Sequence, residues 1–186
     1  MRPPTAARRD RGLTLIELLL FIVVVGIALS AMVRVFVTAT AASADPFIRR
    51  QQLAIAESLL NEVQQMPFTW CDPDDAAVGQ ATSVADCATA EVPGPEAGET
   101  RYGPTYFDNV NDYAGFSMAG IRDLSNTVVP GLAGYSASVA VAAGTLDSLT
   151  AGSGEALKIT VTITGPDAST LVLQGWRTRH APASPY

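Results

Sequence analysis

"RGLTLIELLLFIVVVGIALSAMVRVF", residues 11–36, decides how the rest of the chain is read. No side chain carries a charge between Leu18 and Val33, and the apolar run begins at Leu13 with Glu17 as its one interruption. At roughly 1.5 Å per residue, a helix of this length covers about 30 Å, the depth of bilayer hydrocarbon. A charged side chain in a span costs about 2.5–3.5 kcal/mol at mid-membrane and less near the edge, and such residues usually have a partner. Glu17 has no charged neighbour for five residues either way.

Three readings compete for this segment. A secretory signal would have the basic start, an apolar stretch, and small residues at Thr38-Ala39-Thr40-Ala41-Ala42-Ser43 for cleavage. Its apolar run is long for that role, and Glu17 is a costly residue to place there. A plain single-span anchor fits the length but gives Glu17 no purpose. In either case Arg2, Arg8, Arg9 and Arg11 hold the amino end in the cytoplasm and send the carboxyl end outward.

The third reading supplies a partner. Arg11-Gly12-Leu13-Thr14-Leu15-Ile16-Glu17 resembles the class III signal of type IV prepilins and type II secretion pseudopilins. The resemblance implies cleavage between Gly12 and Leu13 by a prepilin peptidase, and methylation of Leu13 as the new amino terminus. Thr14 and Glu17 would then serve subunit assembly, with the Glu17 carboxylate facing the α-ammonium of a neighbouring subunit's Leu13. An opposite charge in a low-dielectric setting favours the ionised carboxylate and offsets its desolvation. Leu13 stands where most members have Phe. Arg34 stands where many major pilins have Pro, which points away from a major pilin. Gly26, mid-span, suits close packing of helix against helix.

The body that follows is acidic. Residues 1–12 hold four arginines against Asp10, a local +3, so the net −6 of the chain leaves −9 for the remainder. That balance keeps the body soluble and argues against nucleic acid as a partner. Ile48, Ile55, Leu59, Val63 and Met66, widened by Ala56 and Leu60, form the apolar stripe of an amphipathic helix that ends at Pro67. Asp45 and Pro46 suit its first positions; alternatively Pro46 kinks one long helix running from Leu13. A span followed by a half-buried helix is the lollipop architecture that the pilin resemblance implies. Two further blocks, "ADPFIRRQQLAIAESLLNEVQQMPF" (44–68) and "FDNVNDYAGF" (107–116), resemble the minor pilin-like members of the MSHA pilus group.

Residues 67–104 have a loop composition rich in Pro, Gly, Ala and acids. Cys71 and Cys87 are the only cysteines, and outside the cytoplasm a disulfide between them is expected. Closing that loop is worth about 3 kcal/mol on the chain-entropy account. Two cysteines and the distant His180 do not make a zinc site. Asp72-Pro73-Asp74-Asp75 and Asp108-Asn109-Val110-Asn111-Asp112 each gather oxygens that suit calcium, but neither has the glycine or distal Glu of an EF-hand loop. Turn chemistry in solvated loops is the simpler reading, so no metal or cofactor is assigned.

In the carboxyl half, Tyr135, Ala137, Val139 and Val141 alternate with small or polar residues. Leu157, Ile159, Val161 and Ile163 alternate with Lys158 and three threonines, the clearest strand in the chain. Gly165-Pro166-Asp167-Ala168 turns the chain into Leu171-Val172-Leu173, and Gly144–Gly154 reads as a mobile hairpin loop. Trp176 is expected to cover the sheet edge or the helix. No nucleophile elbow or phosphate-cradling loop is present, and the single histidine lies near the end.

These readings sum to an α+β chain: leader 1–12, transmembrane helix 13–37, amphipathic helix 38–66, disulfide-bearing loop region 67–104 and antiparallel-sheet head 105–186. The expected function is structural rather than enzymatic. The chain would be a minor pilin-like subunit of an MSHA-type pilus, anchored in the inner membrane with its body in the periplasm before delivery to the cell surface. Its implied partners are major and minor pilins, the prepilin peptidase and, indirectly, the assembly platform and ATPase. A type II secretion pseudopilin and a signal-anchored binding protein are the alternatives.

Overall fold

The structure, a computed structural model, describes residues 14–184, with the backbone alone over 38–45. The chain divides into two compact units, one ending at Pro46 and the other running from Phe47. Helix α1, Leu15–Gln65, contributes to both. Pro46 lies inside it, so the helix runs on through Pro46 and no new helix starts at Asp45.

In the second unit the α1 turns from Phe47 onward bury the expected stripe. Ile55, Ala56, Leu59, Leu60 and Val63 enter the core, and Ile48 and Met66 pack against it. Their spacing of three and four residues puts them on one face. That face lies on a four-stranded antiparallel meander in the order β1 (Ser117–Ala119), β2 (Ser136–Ala143), β3 (Ala156–Thr164), β4 (Thr170–Thr178). Cross-strand partners keep odd positions together: Val139 opposite Val161, Val141 opposite Ile159, Val161 opposite Leu173 and Ile163 opposite Leu171. Because strand side chains alternate, this register gathers Leu157, Ile159, Val161 and Ile163 on the core face and leaves Lys158 and the threonines half-exposed. The chain is thus an α+β, pilin-like arrangement: an apolar amino-terminal helix followed by a small antiparallel sheet.

Two glycines set how closely α1 approaches the sheet. A Cβ on Gly175 would sit 2.6 Å from Gln64 Nε2 and 3.0 Å from Leu60 Cδ1, and one on Gly165 would meet Gln52 and Ile48 at 3.0 Å. Gln52 occupies the apolar stripe, is 2% exposed, and donates its Nε2 to Ser169 O at 2.9 Å and Ser169 Oγ at 3.1 Å. The amide ties α1 to the turn before β4. Gln52→Ala is expected to lower head stability by about 1 kcal/mol, the usual net value of such bonds. A denaturant midpoint unchanged from the parent would show that this tie contributes nothing.

Sequence reading found three strands; the fourth, β1, is three residues long and offers too little alternation to read. Trp176 covers neither the helix nor a free edge. As an even-numbered residue of β4 it projects from the face opposite the core and lies over Gly144, where an added Cβ would meet its ring at 2.7 Å.

The segment between α1 and β1 is largely irregular but well packed. Phe107 and Tyr113 meet edge-on at 5.0 Å between centroids, Phe116 joins them, and Val110–Tyr113 forms a fully buried 3-10 turn. The Arg179 guanidinium lies 4.0 Å from the Phe68 ring and 3.8 Å from the Trp70 ring, pinning the end of β4 to this segment by cation–π attraction.

Candidate functional site

Gly12 and Leu13 lie outside the described residues. Thr14 opens the helix: its carbonyl accepts from the Glu17 and Leu18 amides, both at 3.1 Å. Glu17 therefore stands in the first turn of α1, where the helix dipole favours a negative charge. Around and beyond it every large apolar side chain but the half-buried Val25 is exposed, from Leu15 at 80% to Phe36 at 70%. The stretch Leu15–Val37 has a mean hydropathy of 2.7 and none of it is buried. A Cβ on Gly26 would meet nothing within 4 Å. A helix apolar on all sides and covered on none is stable only in lipid or among other helices.

Residues 7–33 match the family described as the prokaryotic N-terminal methylation motif. The chain carries a methylation motif of the pilin type. It supports the class III signal of type IV pilins and pseudopilins, a structural rather than enzymatic class. It also supports processing by a prepilin peptidase and assembly with other pilin subunits, and with the apolar helix it indicates a membrane-anchored protein. No curated protein and no solved structure matches the chain.

The second functional candidate lies in the head. Cys71 and Cys87 form the expected disulfide, and Cys71 pairs with Ala90 in an isolated bridge. The Gly94 amide donates to Asn111 O at 3.0 Å and the Val110 amide to Pro67 O at 3.0 Å. These ties draw residues 72–74, 91–99 and 108–112 together. The outcome is three overlapping carboxylate triads: Asp72, Asp74 and Asp108; Glu91, Glu96 and Asp112; Glu99, Asp108 and Asp112. Within each, one oxygen per residue lies within 4.8 Å of the others. The two acidic runs picked out in the sequence converge, which spacing alone did not reveal, and three glutamates from the loop region join them. Turn chemistry also operates here: Asp72 Oδ1 accepts from the Asp74 amide at 2.7 Å, and Asp75 Oδ1 from Ala77 at 2.8 Å.

The crowding shifts the carboxyl groups. Burial, reinforced by Asp112 and Glu96, pushes Glu91 up to about 9. Burial and the neighbouring Glu96 push Glu99 up to about 8. Asp112 rises to about 7, chiefly by burial against the opposing pull of the Asn109 and Asp108 amides, and Asp108 rises to about 6 by burial and Asp72. A carboxyl whose folded pKa is raised stabilises the fold below its unfolded value, and that stability is lost as pH climbs through the folded value. Arg179, whose guanidinium is lowered by burial, is held up in turn by Glu155 and Glu91. In chelator, the head is therefore expected to melt lower at pH 8 than at pH 5. Below about pH 4 it weakens again, because Asp75, Asp86 and Asp167 are held below the usual range by backbone and side-chain hydrogen bonds. A melting temperature flat from pH 5 to 8 would contradict the first limb.

Between Arg50 and Arg122 the sequence has eleven acids and one cation, Arg101. That cation is used elsewhere. Its Nε and Nη2 donate to both Glu62 oxygens at 2.6 and 2.8 Å, its Nη1 donates to Arg122 O at 2.9 Å, and the Tyr113 hydroxyl donates to Glu62 Oε1 at 2.7 Å. Sequence reading missed this pair, although a single arginine in so acidic a stretch was a signal for it. A groove of about 370 Å³ runs beside the pair, lined by Ile55, Leu59, Met118, Ile121 and Leu132.

Proposed function

We propose that the chain is a minor pilin-like subunit of a type IV pilus of the MSHA type, most like MshD. It is inserted in the inner membrane with its head in the periplasm, cut after Gly12, methylated on Leu13, and assembled into a filament or its initiating complex. The observation that carries this reading is the methylation motif running directly into an apolar helix with Glu17 in its first turn. The apolar helix supplies packing energy among neighbouring spans, and Glu17 fixes register by pairing with a neighbour's amino terminus. The head adapts the filament for surface binding or priming. The MSHA assignment rests on the text of residues 44–68 and 107–116.

Mass spectrometry of the mature amino terminus tests it. The expected result is a methylated Leu13. A terminus between Ala41 and Ser43, or an intact Met1, refutes it.

A further inference from the structure

We propose that Glu91, Glu96 and Asp112, with Glu99 and Asp108 beside them, form a binding site for a divalent, oxygen-preferring cation, namely calcium. The inference does not depend on the pilin reading.

Acidic side chains crowded on a surface would not suffice. What singles this group out is that its oxygens are buried and lack donors. Asp112 is 0% exposed. Its Oδ2 is held by the Asp108 and Asn109 amides at 2.9 and 2.7 Å, which fixes the carboxylate and leaves Oδ1 buried without a partner. Both oxygens of Glu91, Oε1 of Glu96 and Oδ1 of Asp108 are likewise buried without a donor. Buried polar atoms in folded proteins nearly always have a partner, so several such oxygens converging on one place call for a missing positive group. No cation bonds to them: among the described residues the single ion pair is Arg101 with Glu62, and Arg179, although it feels Glu91, stacks on two aromatic rings and leaves its buried Nε without a partner.

The donor set selects the ion. Every converging atom is a carboxylate oxygen, and both cysteines are tied up in the disulfide. Hard oxygen donors suit calcium, magnesium or manganese, not zinc or copper. Calcium–oxygen bonds of about 2.3–2.6 Å place two ligands of one ion no more than about 5 Å apart. The 4.8 Å spread within the Glu91, Glu96 and Asp112 triad falls inside that limit. Magnesium keeps several waters and demands near-ideal octahedral geometry, which carboxylates buried this closely do not favour. The alternative way to relieve the repulsion is for the carboxyls to share protons, and the experiment separates the two.

The full chain in detergent micelles is stripped with chelator and titrated with calcium chloride, read by calorimetry and by thermal melting. Saturable binding and a melting temperature raised by several degrees are expected by about 5 mM, above the range of weak extracellular calcium modules. Asp112→Asn and Glu91→Gln each weaken binding tenfold or more. Each also removes a repelling charge, so the chelated variants melt no lower than the chelated parent; should one fail to fold, the other carries the test. Asp147→Asn, on the β2–β3 loop, leaves binding unchanged. Absence of heat and of a melting shift, or undiminished affinity in the two site variants, overturns the site in favour of shared protons. An equal response to magnesium overturns the choice of calcium.

Discussion

Glu17→Ala is expected to leave the leader removed and the helix inserted, yet to reduce the subunit in sheared filaments at least tenfold. The variant inserts more readily, since it deletes one of the two charged groups, Glu17 and Arg34, from the span Leu15–Val37. Failed assembly could not then be blamed on failed insertion. In the proposed filament, alanine would leave a neighbour's α-ammonium at low dielectric without a counter-charge, and an uncompensated buried charge costs several kcal/mol. A tenfold change needs only about 1.4 kcal/mol. Glu17→Gln, which keeps the shape and drops the charge, should fail similarly, whereas Glu17→Asp should retain part of the activity. Quantitative immunoblots of the filament and membrane fractions decide it. Equal incorporation of parent and Glu17→Ala would remove the pairing argument.

Arg101→Ala is expected to destabilise the head strongly. Arg101 is 7% and Glu62 21% exposed, and their bidentate pair joins α1 to the loop before the aromatic cluster. Breaking a buried pair from one side costs about 3–5 kcal/mol, and the partial exposure of Glu62 argues for the lower end. For a head of this size that corresponds to a drop in melting temperature on the order of 10 °C. The Tyr113 hydroxyl would remain as a donor to Glu62, and losing the guanidinium would also release Arg122 O. The double variant Arg101→Met with Glu62→Gln should recover much of the loss. It leaves no unpaired charge, and the new amide still accepts from Tyr113. A double variant as unstable as the sum of the two singles would show that the residues are not coupled.

Most of the fold was legible because it is written in short-range periodicity. The amphipathic half of α1 follows from steps of three and four, and β3 from strict alternation, each visible within a dozen residues. The methylation motif is a contiguous run, so a linear reading finds it whole. Gln52 was passed over because it is polar, although its position in the stripe marked it as buried. β1 was missed because three residues cannot establish a period.

By itself, then, the sequence determined that there is an apolar helix long enough to span a membrane, a half-buried helix and an antiparallel sheet, along with the methylation motif and the lone carboxylate in the first turn of the apolar helix. These depend on neighbours a few positions apart. Only the tertiary structure decided that Arg101 serves Glu62, 39 positions away, and that acids from three separate segments meet with their oxygens buried and unpartnered. The reason is that irregular segments have no repeating geometry from which to project a side chain. Where residues 67–116 place their charges is fixed by one disulfide, a few backbone hydrogen bonds and an aromatic cluster acting together.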